Sequence, residues 1–98
     1  MKTLKQKIIP KTRLKAFAAK LRRSRKKIVF TNGVFDLMHA GHAVYLAKAR
    51  ALGDILVLGL NTDASVKVNK GPKRPIVEYR YRALLLAALE SVDYIVPL

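Results

Sequence analysis

His39 and His42 are the only imidazoles in the chain, and they stand three residues apart. They close the segment Thr31-Asn32-Gly33-Val34-Phe35-Asp36-Leu37-Met38-His39-Ala40-Gly41-His42. With a helix starting near His39–Ala40, positions i and i+3 share a face, so both rings can donate hydrogen bonds into one polyanion. The free N–H groups and positive dipole end of that helix face the same space. Gly33 permits a tight turn after the preceding strand, and Gly41, lacking a Cβ, lets a ligand approach the backbone. The set reads as a phosphate site. A metal pair is the competing reading, but zinc takes three or four protein ligands, and the chain has no cysteine and few carboxylates nearby.

The elements that must position this segment can be read on either side of it. Ile28-Val29-Phe30 is a short continuous apolar run, which predicts a strand buried on both faces. Ala40–Leu52 has helical composition, with Val44, Leu46, Ala47, Ala49 and Leu52 available for burial and Gly53 placed as the C′ residue. Ile55–Leu60 is a second buried-type strand, after which Asn61, Thr62 and Asp63 turn the chain. Asn69–Val77, with Gly71, Pro72 and Pro75, reads as a mobile loop. Glu78–Glu90 predicts another helix and Tyr94–Val96 a third strand. Strand–helix–strand–helix–strand order implies right-handed crossovers and a parallel sheet, hence an α/β fold. In such sheets ligands bind outside the carboxyl ends of the strands, where the histidines fall.

Ninety-eight residues allow one small domain, and 51% hydrophobic content allows a packed core. No apolar run approaches the roughly 18 residues that a membrane helix needs. A soluble, cytoplasmic protein is expected. The net charge of +14 is uneven: twelve of the twenty basic residues lie in Met1–Lys27, and no acid precedes Asp36. Such a stretch could attract nucleic acid, an anionic membrane or a phosphorylated substrate, and it also resembles an organelle transit peptide. The favoured reading is plainer. Leu14, Phe17, Ala18 and Leu21 make one apolar face of a basic helix from about Arg13 to Arg23, with Thr12 as N-cap. Residues 1–12 form a basic arm before it. The arm lacks the interleaved aromatics of a stacking platform, so nucleic-acid binding is the weakest reading.

Gly33-x-Phe35-Asp36-x-x-His39-x-Gly41-His42 resembles the signature G-x-F-D-x-x-H-x-G-H of the cytidylyltransferase-like nucleotidyltransferases, matching at all six positions. The flanks Phe30-Thr31-Asn32-Gly33, Ala49–Asp54, Asn61–Val66 and Lys70-Gly71-Pro72-x-Arg74-Pro75-Ile76 are similar to the members that make ADP-heptose. The resemblance runs from about Leu14 to Val96. It implies a Rossmann-like parallel sheet and transfer of AMP from ATP to heptose 1-phosphate, with pyrophosphate released. Cytidylyl transfer to glycerol 3-phosphate or another alcohol phosphate is the alternative that the shared core leaves open.

The resemblance also assigns roles. His39 and His42 would be catalytic, donating to the phosphates. Thr31, Asn32, Gly33, Val34, Phe35, Asp36 and Gly41 would cradle the nucleotide, with Lys70 and Arg82 as phosphate contacts and Arg74 a weaker one. Asp36 could instead orient the loop by accepting backbone N–H bonds. Asn61 and Asp63 would contact substrate or cap the next turn. Mg²⁺ would arrive with the triphosphate, not in a protein cage. In the family the domain continues with two more strands and a late triphosphate-binding helix. Residues 13–98 are therefore expected to form the N-terminal half of such a domain, with only its first three strands. The edge of the 28–30 strand would then be open to a second copy or a complementing chain, and the chain alone could be inactive.

Overall fold

The computed structural model describes every residue, Met1–Leu98. Three parallel strands form one sheet: β1 (Ile28–Gly33), β2 (Ile55–Leu60) and β3 (Tyr94–Pro97), in the order β1-β2-β3. Five helices accompany them: α1 (Leu4–Lys7), α2 (Leu14–Ser24), α3 (Ala40–Arg50), α4 (Asp63–Lys70) and α5 (Tyr79–Ala87). The α/β reading holds.

β2 takes the centre because its sequence, Ile-Leu-Val-Leu-Gly-Leu, is apolar at every position; five of its six residues are buried. The register aligns Phe30, Val57 and Tyr94 on one face and Thr31, Leu58 and Ile95 on the other. On the second face Leu56, Leu58, Leu60 and Ile95 pack with Leu46 of α3, with Ala83, Leu86 and Ala87 of α5, and with Val92. This is the main core. Each buried leucine in it contributes about 1.5–3 kcal/mol. The first face is covered partly by α2, whose Phe17 ring meets Tyr94 edge-on at 4.7 Å.

β1 departs from its expected burial. It is longer than three residues and alternates between exposed and half-buried positions. Ile28 and Phe30 are 37% and 53% exposed, on the face opposite the core. An apolar run signals a buried strand only when both sheet faces are covered. The Phe17–Tyr94 contact of α2 lies over β3, at the opposite edge of the sheet from β1. α3 differs likewise: only Leu46 is fully buried, while Val44 and Leu52 are exposed. Gly53 does not take a left-handed cap conformation. It is small because a Cβ would lie 2.8 Å from the Lys27 carbonyl oxygen and from Val29 Cγ2.

At the N-terminus α2 is present with the expected half-buried face, but Thr12 does not cap it. Thr12 lies in a 3₁₀ turn, Lys11–Arg13, and Arg13 occupies the cap position. The basic arm is docked, not loose. Thr3 and Gln6 cap α1 reciprocally at 3.1 and 2.8 Å. Ile8 bridges Ile95, and the amide of buried Ile9 donates to the Ile95 carbonyl at 2.9 Å. The arm thus occupies the outer edge of β3. α4 stands where no helix is expected from the sequence, although its signals are local: Thr62 Oγ1 accepts from Ser65 N–H at 3.3 Å, and Gly71, at φ 97°, ends the helix.

Candidate nucleotide site

β1 delivers the chain to Gly33, whose carbonyl accepts the Asn61 amide at 3.1 Å. The turn that follows does not use glycine's freedom at Gly33. Its left-handed residue is Phe35, at φ 49°. A bulky residue is rare in that region and costs roughly 1–2 kcal/mol. Burial of the Phe35 ring, only 8% exposed, offsets this cost. The ring folds back over Gly33, where a Cβ would stand 2.7 Å from Phe35 Cε2, and touches His42 edge-on at 5.4 Å. Gly33 is therefore needed for the phenyl ring, and the ring fixes the loop.

The two histidines are brought together at the start of α3, their ring centroids 4.2 Å apart. His39 Nδ1 accepts from the Gly41 amide at 3.0 Å, and His42 Nδ1 accepts from the His39 amide at 3.2 Å. A nitrogen that accepts carries the lone pair, so each neutral ring holds its proton on Nε2. Neither Nε2 is used within the chain. Two N–H donors thus stand side by side at the positive end of a helix dipole, with their tautomers fixed by the backbone. Gly41 makes this possible: a Cβ there would lie 2.7 Å from His39 Cε1. Its smallness admits the imidazole, a use that the spacing alone does not reveal.

Beyond this pair the polar groups divide into those that face outward and those that hold the scaffold. Lys70 and Arg74 are exposed, make no ion pair, and line with Val34 and Asp36 an open cleft of about 580 Å³, whose lining includes neither histidine. Lys70 is the last residue of α4, not a loop residue. Thr31 is held by the hydroxyl of Tyr45 on α3 at 2.6 Å. The Asp36 carboxylate accepts from the amides of Ile76, at 2.8 Å, and Val77, at 2.8 Å. It ties the histidine loop to the Gly/Pro segment, which is the orienting role read as its alternative. Burial opposes its ionisation, but these hydrogen bonds and the Arg82 and Arg74 charges outweigh that, so its pKa lies below the ordinary value.

Arg82 does not present itself to the cleft. Its side chain is fully buried. Nε donates to the Val77 carbonyl at 2.8 Å, and Nη1 to the carbonyls of Val34 at 2.7 Å and Asn61 at 2.9 Å. Nη2 pairs with Asp63 at 2.7 Å. Four donors of one guanidinium thus join the ends of β1 and β2 to the segment before α5, so the guanidinium expected as a phosphate contact is here engaged within the chain. Asp63, expected to contact substrate or to cap a turn, is engaged with it. Its Oδ1 also accepts the Tyr79 amide at 2.9 Å, so this carboxylate caps α5 and neutralises Arg82. Asn61 contributes its carbonyl to Arg82 and its amide to Ser65 Oγ at 3.3 Å. Tyr79, unremarked in the sequence, carries the one buried hydroxyl without a partner, and burial raises its pKa despite Arg82. No group of three or more His, Asp or Glu side chains gathers anywhere.

Fold and loop together have the form in which open parallel α/β sheets hold nucleotides, a glycine-bearing loop leading from a strand into a helix N-terminus. The chain belongs to the Cytidylyltransferase-like family, whose profile matches residues 30–98. It is 60% identical over 90 residues to the bifunctional protein HldE of Helicobacter pylori strain G27, covering 92% of this chain and 19% of that protein. The HldE of Citrifermentans bemidjiense is 66% identical over 71 residues, covering 72% of this chain and 15% of its own length. Among solved structures, the lipopolysaccharide core biosynthesis protein from Thermoplasma volcanium GSS1 superposes with a TM-score of 0.68 at 35% identity. That match covers 74% of this chain and 57% of the other. The chain spans about a fifth of the length of these curated relatives. No helix is long and apolar enough to cross a membrane.

Proposed function

We propose that this chain carries the phosphate-handling part of a sugar-phosphate nucleotidyltransferase, one that transfers AMP from ATP to heptose 1-phosphate. The observation that carries the reading is the histidine pair, anchored through Nδ1 and offering both Nε2–H groups at the start of α3. The likeness of the flanks to ADP-heptose-forming members supports adenylyl over cytidylyl transfer. The likeness to the Thermoplasma lipopolysaccharide core biosynthesis protein supports a sugar-phosphate acceptor.

A phosphate oxygen of the sugar phosphate attacks the α-phosphorus of ATP. The new O–P bond forms as the bond to the β-phosphate oxygen breaks, and pyrophosphate leaves carrying that electron pair. The enzyme supplies positioning and charge neutralisation. His39 and His42 donate from Nε2 to oxygens that gain charge at the α-phosphorus. The α3 dipole adds to this, and Lys70 and Arg74 draw the polyanion into the cleft. Mg²⁺ would enter as Mg·ATP; Asp36 and Asp63 already hold amides and Arg82.

A second reading rests on β1. Its unpaired edge and the exposed Ile28 and Phe30 fit a site completed by pairing with a second copy or another chain. Pyrophosphate release from ATP with heptose 1-phosphate, set against CTP with glycerol 3-phosphate, tests the substrate pair. Faster release with CTP selects the cytidylyl alternative. A specific rate that rises with protein concentration supports completion by a second copy.

A further inference from the structure

On the sheet face opposite the core, beneath α1 and α2, runs a groove of about 570 Å³. Its floor is apolar, formed chiefly by Phe17, Ile55 and Tyr94. Its rim carries Lys2, Arg13, Lys20 and Lys26, and no carboxylate lines it. Only Lys2 among these has an acidic partner, Asp93, at a loose 3.9 Å, and Asp93 is already bound by Arg50 at 2.9 Å. Lys2 Nζ also lies 4.9 Å from the centre of the Tyr94 ring, so one rim cation borders the apolar floor directly. Ile55 and Tyr94 open β2 and β3, at the ends of the strands remote from the histidine loop. The groove is separate from the nucleotide site.

We propose that this groove binds an anionic amphiphile, a molecule with an alkyl or aryl body and a phosphate or carboxylate head. The volume falls within the roughly 300–1,000 Å³ of small-molecule sites. Charge complementarity fixes the head, since four cations rim a lining that has no acid, and three of them, Arg13, Lys20 and Lys26, have no acidic partner. The floor fixes the body. A compact anion would leave the Phe17–Ile55–Tyr94 surface wet, and a neutral apolar molecule would leave the cations unanswered. Nucleic acid fits less well, because Phe17 and Tyr94 are half-buried and engaged edge-on with each other, not presented as free stacking faces.

The test is an amide NMR titration of the full chain with octyl phosphate below its micelle concentration. The expected result is saturable shifts at Phe17, Leu21, Ile55 and Tyr94, with binding at least tenfold tighter than that of inorganic phosphate or neutral octyl glucoside. The double variant Lys20→Glu/Lys26→Glu changes two exposed side chains, and it should weaken octyl phosphate at least tenfold while the spectrum stays folded. Equal binding of octyl glucoside, unchanged affinity in the double variant, or shifts centred on His39–His42 would each overturn the proposal. So would tighter occupation of the groove by a short single-stranded oligonucleotide.

Discussion

Arg82 and the histidine pair lie at the same end of the sheet and are built on opposite terms. The guanidinium is fully buried, with four donors spent on Val34, Asn61, Asp63 and Val77. The imidazoles are exposed or half-buried, and each spends one nitrogen on the backbone and keeps the other free. A site that must meet a polyanion needs both kinds of group. One holds loop ends in register, and the other keeps donors unspent until substrate arrives. The difference teaches that a cation close to a proposed phosphate site can be spent on the scaffold that shapes it.

Loss of the scaffold should therefore read out in stability, and loss of the pair in rate. Arg82→Met strands three carbonyls and the Asp63 carboxylate, and should cost about 3 kcal/mol or more. Thermal denaturation should show the midpoint falling by more than about 10 °C; an unchanged midpoint would erase the distinction. His39→Ala and His42→Ala should each lower pyrophosphate release by about 10²–10³-fold, the usual worth of one transition-state donor. Their thermal midpoints should move far less than that of Arg82→Met.

Asp36 stands between the two groups, holding a loop whose Arg74 lines the cleft. Its folded pKa lies below the ordinary 3.8, so the tether is fully present above that value and is lost as pH falls through the depressed one. The Ile76 and Val77 amide resonances should shift together on acidification, with a midpoint below 3.8. In Asp36→Asn that transition should vanish. The smallest effect is expected at exposed, unpaired Lys70: Lys70→Ala should raise the KM for nucleotide about threefold and leave the fold intact.

Much of this is legible in the residues themselves. The histidine loop declares itself through residue types at fixed spacing, and β2 through six unbroken apolar positions. Whether an apolar run is covered on both faces depends on elements far away in sequence, so Ile28 and Phe30 read as buried when they are not. Arg82 is hard to read for a related reason. Nothing local to Tyr-Arg-Tyr-Arg tells which arginine will meet three carbonyls and an aspartate contributed by other segments. Gly33 and Gly41 stand out in the sequence, but their neighbours, the Phe35 and His39 rings, become visible only in three dimensions. α4 is within reach of sequence reasoning, since Thr62, Asp63 and Gly71 are ordinary start and stop signals.

The central claim is that both histidines offer Nε2–H to nucleotide phosphates. The most direct test is ¹⁵N NMR of the imidazoles during titration with Mg·ATP. The account predicts that both rings hold the Nε2–H tautomer beforehand, and that both Nε2 signals shift saturably along with the Ala40 and Gly41 amides. A proton on Nδ1 in the free protein, or Mg·ATP shifts that leave both Nε2 signals in place, would contradict it.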